Sequence, residues 1–110
     1  MARKIIGIGD TVLDIVFKDN QPQAAVPGGS VFNSMISLGR TAGVRLPEVA
    51  LLMESQVGDD YVADIVTDFM RANNVGTEGI QRSCGQSTVS LALLDERNNA
   101  RYEFFRDRDI

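Results

Sequence analysis

Three features of the sequence predict an α/β fold, a parallel sheet with flanking helices and a smaller all-β portion attached. Short apolar runs alternate with stretches of helical period up to about residue 74. Both helical stretches open just after a glycine turn, Gly28-Gly29-Ser30 and Gly58-Asp59-Asp60. Beyond about residue 80 the apolar pattern changes to period two or short continuous runs. A β, α, β, α order followed by strands alone is the signature of a layered sheet that gains a separate β element.

Lys4 to Gly9 is a compact apolar run closed by Gly9-Asp10, which reads as a parallel strand buried on both faces. Val12 to Phe17 carries further strand-forming residues. Lys18-Asp19-Asn20-Gln21-Pro22 then breaks the run, so a hairpin returning through Ala24-Ala25-Val26 is expected. From Ser30, a good N-cap, Val31, Met35, Leu38 and Ala42 recur at helical spacing, with Phe32 and Ile36 widening the stripe. This helix should end near Ala42-Gly43, and Glu48 to Met53 supplies the next buried strand. A second helix is expected from about Asp59 to Asn74, with Val62, Ile65, Val66, Phe69 and Met70 on one face and acids in its first turn. Ser87 to Leu94 and Tyr102 to Phe105 form two more strands, joined by the polar turn Asp95-Glu96-Arg97-Asn98-Asn99. The chain stops at Asp109-Ile110 with no closing helix, which reads as an incomplete α/β unit.

Composition narrows the functions. The 110 residues carry a net charge of -4 and no histidine, so nothing resembles the basic footprint that neutralises nucleic-acid phosphates. Cys84 is the only cysteine; it cannot form an intrachain disulfide, it leaves no zinc-ligand cluster, and it suits a reducing cytoplasm. Without a histidine to activate it, Cys84 reads as structural rather than nucleophilic. The N-terminal run reaches Asp10 before a signal-like apolar segment is complete, and no run is long enough to span a bilayer.

Several short motifs could carry chemistry. Gly7-Ile8-Gly9 follows a strand, but the third glycine of a dinucleotide fingerprint would fall on Val12 where no helix opens. A P-loop signature is absent. Gly28-Gly29-Ser30 is more informative, because paired glycines let a ligand approach the backbone where a helix presents unpaired N–H groups; a tight turn with a serine cap would look the same. Asn33, one turn into that helix, could donate to and accept from adjacent hydroxyls, or could simply be a surface amide. Asp14 interrupts an apolar stretch beyond the first strand, near the zone where open α/β sheets bind ligands; by itself it is equally an exposed acid on a half-solvated strand. In Val57-Gly58-Asp59-Asp60 either acid reads as a helix cap before a metal ligand.

In this order the pieces resemble the N-terminal portion of the PfkB family of sugar and nucleoside kinases across nearly the whole chain. The resemblance rests on Lys4 to Asp10 with downstream Asp14, on Gly28-Gly29-Ser30-Val31-Phe32-Asn33, on Val57-Gly58-Asp59-Asp60-Tyr61, and on Ala72-Asn73-Asn74-Val75-Gly76-Thr77. It implies a ribokinase-like fold, a Rossmann-like parallel sheet with flanking helices plus a β-sheet lid, present here as the N-terminal part only. The body would comprise about residues 1–10 and 28–79, and the lid about 11–27 and 80–106. Asp14, Gly28, Gly29 and Asn33 would contact sugar hydroxyls. Arg101-Tyr102-Glu103-Phe104-Phe105-Arg106-Asp107 looks most like the fructokinase branch.

Met35 and the 40–47 connection depart from the family pattern. The family's Gly-Ala-Gly-Asp segment, with its catalytic base and anion hole, lies downstream of this stretch. ATP and Mg²⁺ would therefore be cofactors of the full-length enzyme with no ligand from this chain, and the chain alone is expected to be inactive. The resemblance also implies a homodimer through the lid strands. A non-catalytic sugar-binding or regulatory module that kept the pocket is the alternative.

Overall fold

A computed structural model of the chain describes residues 3–45 and 49–106. The described residues form two sheets and two helices. One sheet is parallel, with order β1-β4-β5, where β1 is Arg3–Ile8, β4 is Val49–Gly58 and β5 is Ile80–Ser83. The other has order β3-β2-β6-β7, with β2 Val12–Lys18, β3 Gln21–Gly28, β6 Val89–Leu94 and β7 Ala100–Phe105. Helices α1 (Ser30–Arg45) and α2 (Tyr61–Ala72) follow β3 and β4.

Both helices cover the same face of the parallel sheet. Phe32, Met35 and Ile36 of α1 meet Val66 and Met70 of α2 over Met53 of β4, with Val75 closing the cluster. The Phe32 and Phe69 rings stack with centroids 6.2 Å apart, an arrangement that adds to the area they bury. Gly7 of β1 and Gly9 just after it face Val31 of α1, so the alternating Ile6 and Ile8 lie on the opposite face, 49% and 71% exposed. The burial expected for β1 is therefore met at Gly7 alone among residues 4–8, since Ile5, on the same face, is itself 42% exposed. Leu38 also departs from expectation: it is 43% exposed, because the buried stripe of α1 runs through Phe32, Met35, Ile36 and Gly39. Nothing is described of the Ala42 side chain, and Glu48, the expected start of β4, lies outside the described residues.

Several boundaries shift for physical reasons. Strand β4 continues past Met53 to Gly58 because Val57, 1% exposed, extends its buried face. Helix α2 starts at Tyr61 because Asp60, in extended conformation, caps it by accepting from the Ala63 N–H. Ile80–Ser83, expected in the lid, pairs in parallel with Ser55 to Gly58 and so belongs to the body sheet. Gly28, expected to open the body, pairs with Val12 at the end of the lid hairpin. That hairpin turns at Asp19 and Asn20, both at positive φ (51° and 61°), the geometry of a type I′ turn that matches strand twist. Pro22 is tolerated because β3 is an edge strand. The second hairpin turns on Asp95, whose carboxylate accepts from the Arg97 and Asn99 N–H groups. Between them, β2 and β6 pair in parallel, Asp14 opposite Ser90, which makes the lid a mixed sheet.

Candidate functional site

Asp14, Gly28 and Asn33 come from three elements and converge on one point. Asp14 is in the middle of β2, Gly28 ends β3, and Asn33 lies in the first turn of α1. A Cβ placed on Gly28 would stand 2.7 Å from Asp14 Oδ2 and 3.8 Å from Asn33 Oδ1. A Cβ at position 28 would thus collide with the carboxylate, and glycine is what lets Asp14 and Asn33 pack this close to the backbone. Gly29 is needed for a different reason. Its φ of 129° is open to glycine and strained for other residues, and a Cβ there would lie 2.4 Å from the Asp10 carbonyl oxygen. This backbone turns the chain from the lid hairpin into α1, whose first turn closes with the Asn33 N–H donating to Gly29 O at 2.8 Å.

The sequence did not single out Ser90. It is 0% exposed on β6, directly opposite Asp14, and its hydroxyl donates to Asp14 Oδ1. Pairing sets Val26, Asp14, Ser90 and Phe104 in one cross-strand row, so Phe104 shares the face that bears the carboxylate. Val16 and Tyr102 occupy the next row on that face, through Ala92. Tyr102 and Phe104 are stacked at 6.2 Å and are 55% and 57% exposed. Val89, Leu91 and Leu93 alternate to the other face, so the apolar residues of the lid are divided between two surfaces rather than gathered on one.

A second polar cluster joins body to lid. The Asp60 carboxylate accepts from the Ser87 N–H and hydroxyl, both at 2.8 Å, as well as from Ala63 N at 3.0 Å. Ser87 Oγ in turn accepts from the Gly58 N–H at 3.0 Å. The helix cap therefore also pins the segment that leads into β6. Burial pushes the Asp60 carboxyl up, but the Ser87 and Ala63 donors and the Arg82 guanidinium outweigh it and hold the group below its ordinary value. Asp59 has no such role: it is exposed and pairs with Arg82, which also bonds Asp64. Cys84, read from sequence as structural, is exposed in the turn between β5 and β6 and so contributes nothing to a core.

A cavity of about 500 Å³ lies at the carboxyl end of β1, lined by Ile8, Gly9, Asp10, Ser55, Glu78, Gly79 and Gln81. It does not include Asp14, Gly28 or Asn33. Ser55 Oγ is buried there without a hydrogen-bond partner among the described residues. No group of three or more acidic, cysteine or histidine side chains among the described residues could hold a metal ion, and no helix there is long and apolar enough to cross a membrane.

No family model matches the chain, and no curated protein sequence matches it. Solved structures do. An uncharacterized sugar kinase from Pyrococcus horikoshii superposes with a TM-score of 0.79 at 20% identity, over 94% of this chain and 34% of that one. A fructokinase from Vibrio cholerae gives 0.78 at 19% identity, over 98% of this chain and 35% of its own. A fructokinase from Xylella fastidiosa with bound ATP gives 0.75 at 19% identity, over 96% and 34%. The chain thus spans about a third of the length of the structures it matches. Its fold is that of the N-terminal part of ribokinase-like kinases, a mixed α/β unit with a small additional sheet.

Proposed function

We propose that this chain is the sugar-binding portion of an ATP-dependent carbohydrate kinase of the PfkB type, acting in the cytoplasm on a fructose-like or ribose-like sugar. One observation carries the reading: the Asp14 carboxylate and the Asn33 amide meet at Gly28, where a Cβ would lie 2.7 Å from Asp14 Oδ2 and 3.8 Å from Asn33 Oδ1. A carboxylate there accepts from hydroxyl donors, and a primary amide both donates and accepts, which together suit a pair of neighbouring hydroxyls. Gly28 lets the carboxylate and the amide come this close to the backbone, and Gly29 supplies the turn that brings α1 and Asn33 to them.

ATP and Mg²⁺ would supply the phosphoryl group and the countercharge for its transfer. This chain's part in that reaction is to bind and orient the sugar hydroxyls. The lid strands would in addition pair two copies into a homodimer, with the outer face bearing Leu91 and Leu93 as the contact.

Titration of D-fructose into the chain by calorimetry tests the site. Asp14→Asn and Asn33→Ala should each weaken binding by about 1–3 kcal/mol, the cost of leaving a polar group of the complex unpaired. Unchanged affinity in both variants refutes the assignment.

A further inference from the structure

We infer that Ser90 is a positioning residue for the sugar: its hydroxyl holds the Asp14 carboxylate in the orientation that leaves Oδ2 at Gly28, beside Asn33. The inference rests on the sugar-binding reading of Asp14 and adds a residue that no motif marks.

The argument begins with register. Ser90 and Asp14 are direct partners in the parallel pairing of β6 and β2, so their side chains project from the same face. Ser90 is 0% exposed, so water does not compete for its hydroxyl, and the donor is directed to Asp14 Oδ1. That bond uses one carboxylate oxygen and constrains rotation of the side chain. The other oxygen, Oδ2, packs against Gly28, 2.7 Å from where a Cβ would stand, and Asn33 Oδ1 approaches the same point at 3.8 Å. An aspartate at a half-buried strand position, with nothing to hold it, would sample several rotamers and would have to be ordered each time a ligand bound. Ser90 meets that cost on folding.

Both members of the pair belong to the lid sheet, while Asn33 belongs to α1. The orientation of the acceptor is therefore built into the lid itself and does not depend on how closely the lid approaches the helix. An alanine in the middle of β6 would pack as well in a strand, but it would leave Asp14 Oδ1 without its donor. The role thus lies in the hydroxyl, not in the volume of the side chain.

The experiment measures fructose affinity of the 110-residue chain by calorimetry for the wild type, Ser90→Ala, Ser90→Thr and Asp14→Asn, together with a set of single-deoxy fructoses. Ser90→Ala should bind fructose about three- to tenfold more weakly, the cost of ordering one free side chain. Ser90→Thr, which keeps the donor, should restore most of the affinity. The wild type should also discriminate against the deoxy sugar that lacks the hydroxyl bonded by Asp14, and Ser90→Ala should lose part of that discrimination, whereas a merely structural loss would weaken every analogue alike. If Ser90→Ala does not fold, Ser90→Cys, similar in shape but a weak donor, replaces it with the same expected loss. Loss of binding in Asp14→Asn with wild-type affinity in the Ser90 variant overturns the role of Ser90 and leaves the sugar site standing. Binding of neither D-fructose nor D-ribose by the wild type, or equal binding by Asp14→Asn, overturns the sugar site and this inference with it.

Discussion

Replacing Asp60 by alanine should destabilise the chain far more than replacing its neighbour Asp59, although the two acids are adjacent in a polar turn. Asp60 caps α2 through the Ala63 N–H and accepts twice from Ser87, whose side chain and backbone are 6% exposed. Loss of an N-cap costs about 0.5–2 kcal/mol, and each buried donor left unpaired costs about 1–3 kcal/mol. The three bonds share one carboxylate and are not independent, so a loss of roughly 2–4 kcal/mol is expected. Against a typical total of about 5–15 kcal/mol for a domain, this should lower the urea midpoint by about 1–2 M. Asp59→Ala removes only an exposed partner of Arg82, which retains Asp64, and its midpoint should match the wild type. The pH dependence has a definite sign. Asp60 titrates below its ordinary value of 3.8 in the folded chain, so its contribution is present above about pH 4 and is lost as pH falls through the folded value. Asp60→Ala should lack that component of acid destabilisation. Equal urea midpoints for the Asp60 and Asp59 variants would refute the view that Asp60 is the joint between body and lid.

Two further perturbations follow from backbone and pairing. Gly29→Ala should destabilise the chain by about 1–3 kcal/mol in the same urea assay, because alanine must adopt a φ near 129° with its Cβ against the Asp10 carbonyl oxygen; an unchanged midpoint would mean the turn can relax without cost. A glutamate at Leu91 or Leu93 should dissociate a lid-mediated dimer in sedimentation velocity, since both side chains lie on the lid face away from Asp14; a dimer that survives both substitutions is not built through that face.

The order β, α, β, α was legible because each element carries its own period, apolar runs for β1 and β4 and helical spacing for α1 and α2. One cap was legible in part for the same local reason: the turn offered Asp59 or Asp60, and Asp60 is the one that caps α2, whereas Ser30, expected to cap α1, lies within the helix. Pairings were not. Strand β5 is only Ile-Gln-Arg-Ser, too short and polar to announce itself, and it enters the body sheet because β4 extends far enough to receive it. Leu38 matched the helical spacing yet lies off the buried stripe, since the crossing of α1 over the sheet, not the period alone, selects which side chains are covered. Asp14, Gly28, Gly29 and Asn33 could be singled out because glycines and lone polar residues interrupt apolar runs. Ser90 interrupts one too, within Val89-Ser90-Leu91-Ala92, but its partner is 76 residues away and becomes visible only through the parallel register of β2 and β6. Ser87 is hidden in the same way, 27 residues from the carboxylate it anchors to.

On the proposed reading a sugar is held by Asp14 and Asn33 at Gly28. Amide chemical-shift mapping of the isotope-labelled chain during a D-fructose titration tests it most directly. Saturable shifts centred on Asp14, Gly28, Gly29, Asn33 and the opposing Ser90 are predicted, and in Asp14→Asn they should saturate only at a higher fructose concentration. Shifts confined instead to the cavity lined by Ile8, Asp10, Glu78 and Gln81, or no saturable shift at all, would contradict the account.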